Sequence, residues 1–98
     1  MSIRIRYSHR ALKEYKSILD YLMHNFGLQK AIKIDSYFDQ LIQQIAKNPQ
    51  MYPIFDHKKG IRKCVISQQT SLYYRITGNY IELISFRGNQ MNPNTLNL

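Results

Sequence analysis

The sequence predicts an α+β domain of two layers, with a helical hairpin packed on one face of a mostly antiparallel sheet. Three observations carry this reading. Apolar residues alternate with period two at the start of the chain and again after residue 60. Two apolar stripes at helical spacing lie between, separated only by the few residues around Gly27. The 98 residues suffice for one modest core, so residues 1–98 are read as a single domain.

In the first segment Ile3, Ile5 and Tyr7 alternate with Arg4 and Arg6, as in a strand with one buried and one wet face. Ser8 stands where an N-cap belongs, and Ala11, Tyr15, Ile18, Leu22 and Phe26 follow at spacings of three and four, with Leu12 and Leu19 widening the stripe. Gly27 stops this helix, because only glycine enters the left-handed C-terminal position without steric cost. The second stripe, Ala31, Ile34, Phe38, Leu41, Ile42 and Ile45, ends at Asn48-Pro49. So short a connection makes the helices an antiparallel hairpin. Residues 50–60 are irregular, with Pro53 and Gly60 as breakers, and read as an exposed loop. The period of two then returns in strands over 61–67, 71–77 and 80–87, the last two joined by a tight turn at Gly78-Asn79. The result is an N-terminal strand, an antiparallel helical hairpin and a three-stranded antiparallel meander. Its second sheet face is expected to lie open.

Lys and Arg outnumber Asp and Glu by 14 to 6, a formal charge of +8 that favours an anionic partner, either nucleic acid or an acidic protein segment. The single cysteine, Cys64, cannot form an internal disulfide and reads as a small buried thiol of a strand. With no apolar run near the ~20 residues of a membrane span, the chain reads as soluble and cytoplasmic. His9 and His24 fall at the two ends of the first helix without a Cys, Asp or second His at ligand spacing, so no metal and no cofactor is expected.

The densest basic stretch is "HKKGIRK", residues 57–63, which gathers His57, Lys58, Lys59, Arg62 and Lys63 around Gly60. It serves either as a grip on phosphate or as a charged edge that docks a protein, and clustered lysines also blunt exposed sheet edges. Alternation puts Tyr74 with Leu72 and Ile76 on the core face and Tyr73 with Arg75 on the other. Arg87 ends the last strand beside Gly88, where it reads as an exposed arginine whose removal leaves the fold nearly intact. After it, residues 88–98 contain no ionisable side chain, aromatic ring or histidine.

Several stretches in this order, "IRIRYSHRALKEYKSILDYL", "KNPQMYPIF", "GIRKCVI" and "LYYRITGNYIELISFRG", resemble the toxins of bacterial type II toxin–antitoxin modules in the RelE/ParE superfamily. The resemblance covers nearly the whole chain, and its specificity comes from the order and spacing of the stretches. It implies a small toxin, active in growth inhibition and plasmid stabilisation, neutralised by a cognate antitoxin encoded next to it. The target it implies is DNA gyrase or the ribosome, and a hetero-oligomer with the antitoxin is in keeping with it.

The RelE-like branch of the superfamily cuts mRNA in the ribosome by driving a ribose 2′-OH onto the adjacent phosphate, which needs a base, an acid and cations at the transition state. Matched position by position, Lys63 falls at a lysine of that set, with Arg75 and Arg87 able to hold phosphate. The branch's strand arginine falls nearest Ser71, and its C-terminal tyrosine or histidine has no counterpart in 88–98. The chain thus looks closer to the ParE-like branch, which lacks the catalytic set and acts on gyrase through protein contacts. On this reading His57, Lys58, Lys59, Arg62, Lys63 and Arg87 contact target or antitoxin, and no catalytic residue is assigned. The alternatives are a ribonuclease using Lys63, Arg75 and Arg87, and a plain nucleic-acid-binding module. The latter lacks a helix-turn-helix or a glycine-rich phosphate loop.

Overall fold

The computed structural model describes residues 3–88 together with Leu98. Its elements are β1 (Arg4–Tyr7), α1 (His9–Phe26), α2 (Leu28–Lys47), β2 (Ile54–Asp56), β3 (Ile61–Val65), β4 (Thr70–Thr77) and β5 (Tyr80–Gly88). The strands form a five-stranded sheet in the order β1-β5-β4-β3-β2. All neighbours are antiparallel except β1 and β5, which run parallel.

The α+β architecture is the expected one, with one strand more. β2 lies inside the 50–60 segment that reads as irregular loop. Three residues are too few to show alternation, and the strand exists only through its pairing with β3, where the register shifts between Ile54 and Asp56. Pro53 does not break the ladder, because its carbonyl accepts from the Lys63 amide at 3.1 Å.

Ser8 joins three elements. Its Oγ accepts from the Ala11 amide at 2.9 Å and donates to the Ile84 carbonyl at 2.7 Å, while its own amide bonds the Leu83 carbonyl at 2.9 Å. One side chain thus caps α1 and ties the end of β1 to β5. Gly27, at φ +90°, is the whole link between the helices. Its amide closes α1 onto Met23 and its carbonyl receives the Ala31 amide.

Both helices press one face of the sheet. Ala11, Phe38, Ile42 and Ile45 from the helices meet Cys64, Ile66, Leu72, Tyr74, Ile81, Leu83 and Phe86 from the strands. Tyr15, Phe38 and Phe86 form the seam, with ring centroids 5.4–6.2 Å apart. The apolar stripe of α1 is not buried along its whole length: Ala11 is sealed, Tyr15 and Ile18 are partly covered, and Phe26 is 60 % exposed. An 18-residue helix is about 27 Å long, and the tip of the hairpin stands clear of the sheet.

The second sheet face is not bare as expected. Ile61, Ser71, Tyr73 and Ser85, whose register places them on that face, are buried. Between Tyr73 and Tyr74 the β4–β5 register shifts, Tyr73 facing Ser85 and Tyr74 facing Leu83, so that Ile84 is the extra residue of a β-bulge. The allocation of faces survives it: Tyr74 belongs to the core, and Tyr73 packs edge-on against Phe55, with centroids 5.0 Å apart, on the other side.

Candidate functional site

The fold divides the basic run 57–63 three ways. His57, Lys58 and Lys59 form the turn between β2 and β3, exposed at one end of the sheet. Asp56 shapes it, its Oδ1 accepting from the amides of Lys58 at 3.0 Å and Lys59 at 3.2 Å, and Gly60 leaves the turn at φ +68°. Arg62 and Lys63 then point to opposite faces, as successive strand residues must.

Arg62 lies opposite Tyr74, and its guanidinium donates to the carbonyls of Tyr52 at 2.7 Å and Gln50 at 3.4 Å. The Tyr74 hydroxyl donates to the Pro49 carbonyl at 2.7 Å. Together they hold the segment after α2 against the sheet, so the guanidinium of Arg62 is engaged inside the fold.

Lys63 lies on the second face, its ammonium 5.8 Å from the Phe55 ring centroid and 5.9 Å from that of Tyr73. Register places Arg75, Glu82, Ser85 and Arg87 on the same face. At its far side Arg6 of β1 stacks over Tyr80 at 4.6 Å. The face thus carries several cations, two of them, Lys63 and Arg6, beside aromatic rings, a clustering that charge and alternation foreshadow. Its internal pairing is not readable from the sequence. Arg75 bonds Glu82 at 2.7 Å. Arg87 approaches Glu14 of α1 at 3.3 Å, with 16 % of its side chain exposed. The exposed, unengaged arginine expected at position 87 is in fact a largely enclosed, ion-paired one, because α1 runs past the edge of β5. Arg87 also lies away from the 57–60 turn. It pairs with Ser71, which faces Val65, whereas the turn adjoins Ile61, four strand residues or about 13 Å distant. The proposed contact residues thus fall on more than one surface.

Proton-transfer groups are scarce on this face. Among the described residues it carries the phenols Tyr73 and Tyr80, and its carboxylate Glu82 is held by Arg75. His9 opens α1, His24 lies in the last turn of that helix and His57 in the β2–β3 turn. The core phenols are held neutral: burial pushes Tyr74 and Tyr52 up to about 12, and burial followed by a hydrogen bond to Asp35 raises Tyr15 further. Burial also raises the Cys64 thiol, which is free and enclosed and behaves as a small apolar side chain. No group of three potential metal ligands occurs among the described residues.

A second feature lies on the helix side. Between the projecting hairpin and the β3–β4 turn runs a groove of about 650 Å³, lined chiefly by Ile18, Tyr21, Leu22, Phe26, Ile34 and Phe38 and bordered by Lys30. Tyr21 and Phe26, each 60 % exposed, form its rim. The helical stripe that reads as core thus serves partly as an unfilled apolar surface. No helix among the described residues is long and apolar enough to cross a membrane.

Residues 5–93 match the family model for the ParE toxin of the parDE type II toxin–antitoxin system. Comparison with the curated proteins finds no significant match. Among solved structures, a chromosomal ParDE toxin–antitoxin system from P. aeruginosa superposes with a TM-score of 0.75 at 16 % identity, over 89 % of this chain and 96 % of that one. A YoeB/ParE toxin from Agrobacterium tumefaciens gives 0.66 at 14 % identity, over 89 % and 99 %. The DinJ–YafQ toxin–antitoxin complex of E. coli gives 0.60 at 15 % identity, over 90 % and 93 %.

Proposed function

The chain belongs to the family of ParE toxins of type II toxin–antitoxin systems, and on that footing we propose that it inhibits DNA gyrase through protein contacts and is neutralised by a cognate antitoxin. The observation that carries gyrase over mRNA is the pairing on the second face. Stabilising a phosphorane-like transition state calls for unbalanced positive charge. Arg75 and Arg87 already hold carboxylates, at 2.7 and 3.3 Å. Concerted proton transfer contributes about 10²–10⁴-fold to such a cleavage, and the phenol near Lys63, that of Tyr73, is buried away from a substrate. A gyrase supercoiling and cleavage assay, run beside primer-extension mapping of mRNA in expressing cells, tests the reading. Gyrase-dependent DNA breaks with intact mRNA are expected. Codon-positioned cuts that vanish on Lys63→Ala, with gyrase unaffected, would replace it by a ribosome-dependent ribonuclease, the second reading, which the shared face of Lys63, Arg75 and Arg87 favours.

The antitoxin is assigned the hairpin groove. An amphipathic helix of the antitoxin lays its apolar face along Ile18, Leu22 and Phe26, and acidic residues meet Lys30 and the +8 surface. Charge complementarity there chiefly speeds association and selects the partner. The Tyr21→Ala/Phe26→Ala variant is expected to bind the product of the neighbouring gene at least about tenfold more weakly, since exposed aromatic anchors dominate such interfaces. Its unfolding free energy should stay within about 0.5 kcal/mol of the parent for each exposed side chain removed. Titration calorimetry at moderate salt reads the affinity, and undiminished binding would exclude the groove.

A further inference from the structure

Glu14 sits between Lys13 and Tyr15 on α1, and nothing in its sequence context separates it from a solvated helix residue. The fold puts it at the uncovered edge of β5. β1 pairs with β5 only as far as Leu83, so beyond that point the outward amides of β5 lack a strand partner. Glu14 takes the strand's place: its Oε1 accepts from the Phe86 amide at 3.1 Å and from the Ser85 hydroxyl at 2.8 Å. Its Oε2 lies 3.3 Å from Nε of Arg87, and the same Nε donates to Ser85 Oγ at 2.6 Å. Carboxylate, hydroxyl and guanidinium close a triangle around Ser85, which is itself fully buried.

We propose that Glu14 is a positioning residue for Arg87. It grips the guanidinium by Nε, together with Ser85, and so presents the two terminal amino groups as a fixed fork at the rim of the second sheet face, matched to a carboxylate of the protein target. Among the described residues, Arg87 meets Glu14 and Ser85 through Nε. The remaining donors of a guanidinium form the planar pair that bonds a carboxylate bidentately. The inference rests on the reading of Arg87 as a target contact. Its physical content is preorganisation. A free arginine loses its rotamer freedom on binding, and holding it in advance is worth about two- to tenfold in affinity. A simple charge model has the opposite sign, since removing Glu14 adds one positive charge to the face and would strengthen attraction to an acidic target.

The experiment compares Glu14→Gln, Arg87→Ala and the double variant in the full chain. Growth inhibition is read under titrated expression, urea unfolding reports an intact fold, and the ¹⁵N–¹H resonance of Arg87 Nε reports the grip itself. Glu14→Gln keeps an amide oxygen for Phe86 and Ser85 and is expected to fold. It should lose about two- to tenfold in potency, shift and broaden the Nε resonance, and still unfold cooperatively in urea. In the Arg87→Ala background it should add nothing. Unchanged or raised potency of Glu14→Gln, or an equal loss in the Arg87→Ala background, would overturn the positioning role. Full potency of folded Arg87→Ala would instead remove the contact reading on which it stands, so the two failures are told apart.

Discussion

Replacing Arg87 by Ala is expected to lower the potency of growth inhibition by about 30- to 700-fold, the loss that corresponds to about 2–4 kcal/mol for an arginine anchor in an interface. The side chain is suited to that role because it is held and charged at a rigid strand end. The substitution also has a structural cost. It deprives the carboxylate of Glu14, 26 % exposed, of its cation and the buried Ser85 hydroxyl of a donor, which amounts to about 1–3 kcal/mol. Stability must therefore be measured beside toxicity, by urea unfolding. Arg87→Gln, which keeps a neutral donor, serves as the milder variant. A folded Arg87→Ala protein with undiminished toxicity would refute the assignment. His9→Ala and His24→Ala, at exposed positions near the ends of α1, should retain parental potency.

Leu83→Ala is expected to cost about 2–5 kcal/mol of unfolding free energy, a large share of the ~5–15 kcal/mol available to a domain of this size. Leu83 is fully enclosed and stands where the sheet is tied together: it pairs with Tyr7 of β1 on one side and Tyr74 of β4 on the other. Truncation leaves a cavity beneath α1 and loosens the parallel β1–β5 contact that brings Ser8 onto β5. At roughly 4–8 °C per kcal/mol, the melting temperature should fall by about 10 °C or more. Thermal unfolding followed by circular dichroism measures it, with Val65→Ala, at a side chain 60 % exposed, as a control that should change stability by less than about 0.5 kcal/mol. A change below about 1 kcal/mol at Leu83 would mean that the core is not organised around β5.

The sequence by itself determines the helices and four of the strands, because each is announced by a local period. Ile3, Ile5 and Tyr7 alternate, Ser8 and Gly27 punctuate α1, and the meander from Ile61 onward keeps a period of two up to the bulge at Ile84. The same alternation separates Arg62 from Lys63 and Tyr73 from Tyr74. A period reports which face a side chain occupies but not what covers it. Only the tertiary structure decided that β2 exists, since a three-residue strand is made by its partner, and that the outer stripe of α1 becomes a groove at the hairpin tip. The fate of the charges was likewise decided at long range. Glu14 meets Ser85 and Phe86 across 71 and 72 residues of chain, and Arg62 closes onto carbonyls 10 and 12 residues away. Ionic and hydrogen-bonded pairing depends on how the sheet edge and the helix are juxtaposed, and hydropathy carries no record of that juxtaposition. An arginine that reads as a bare strand end is for this reason the held end of a partly buried triangle.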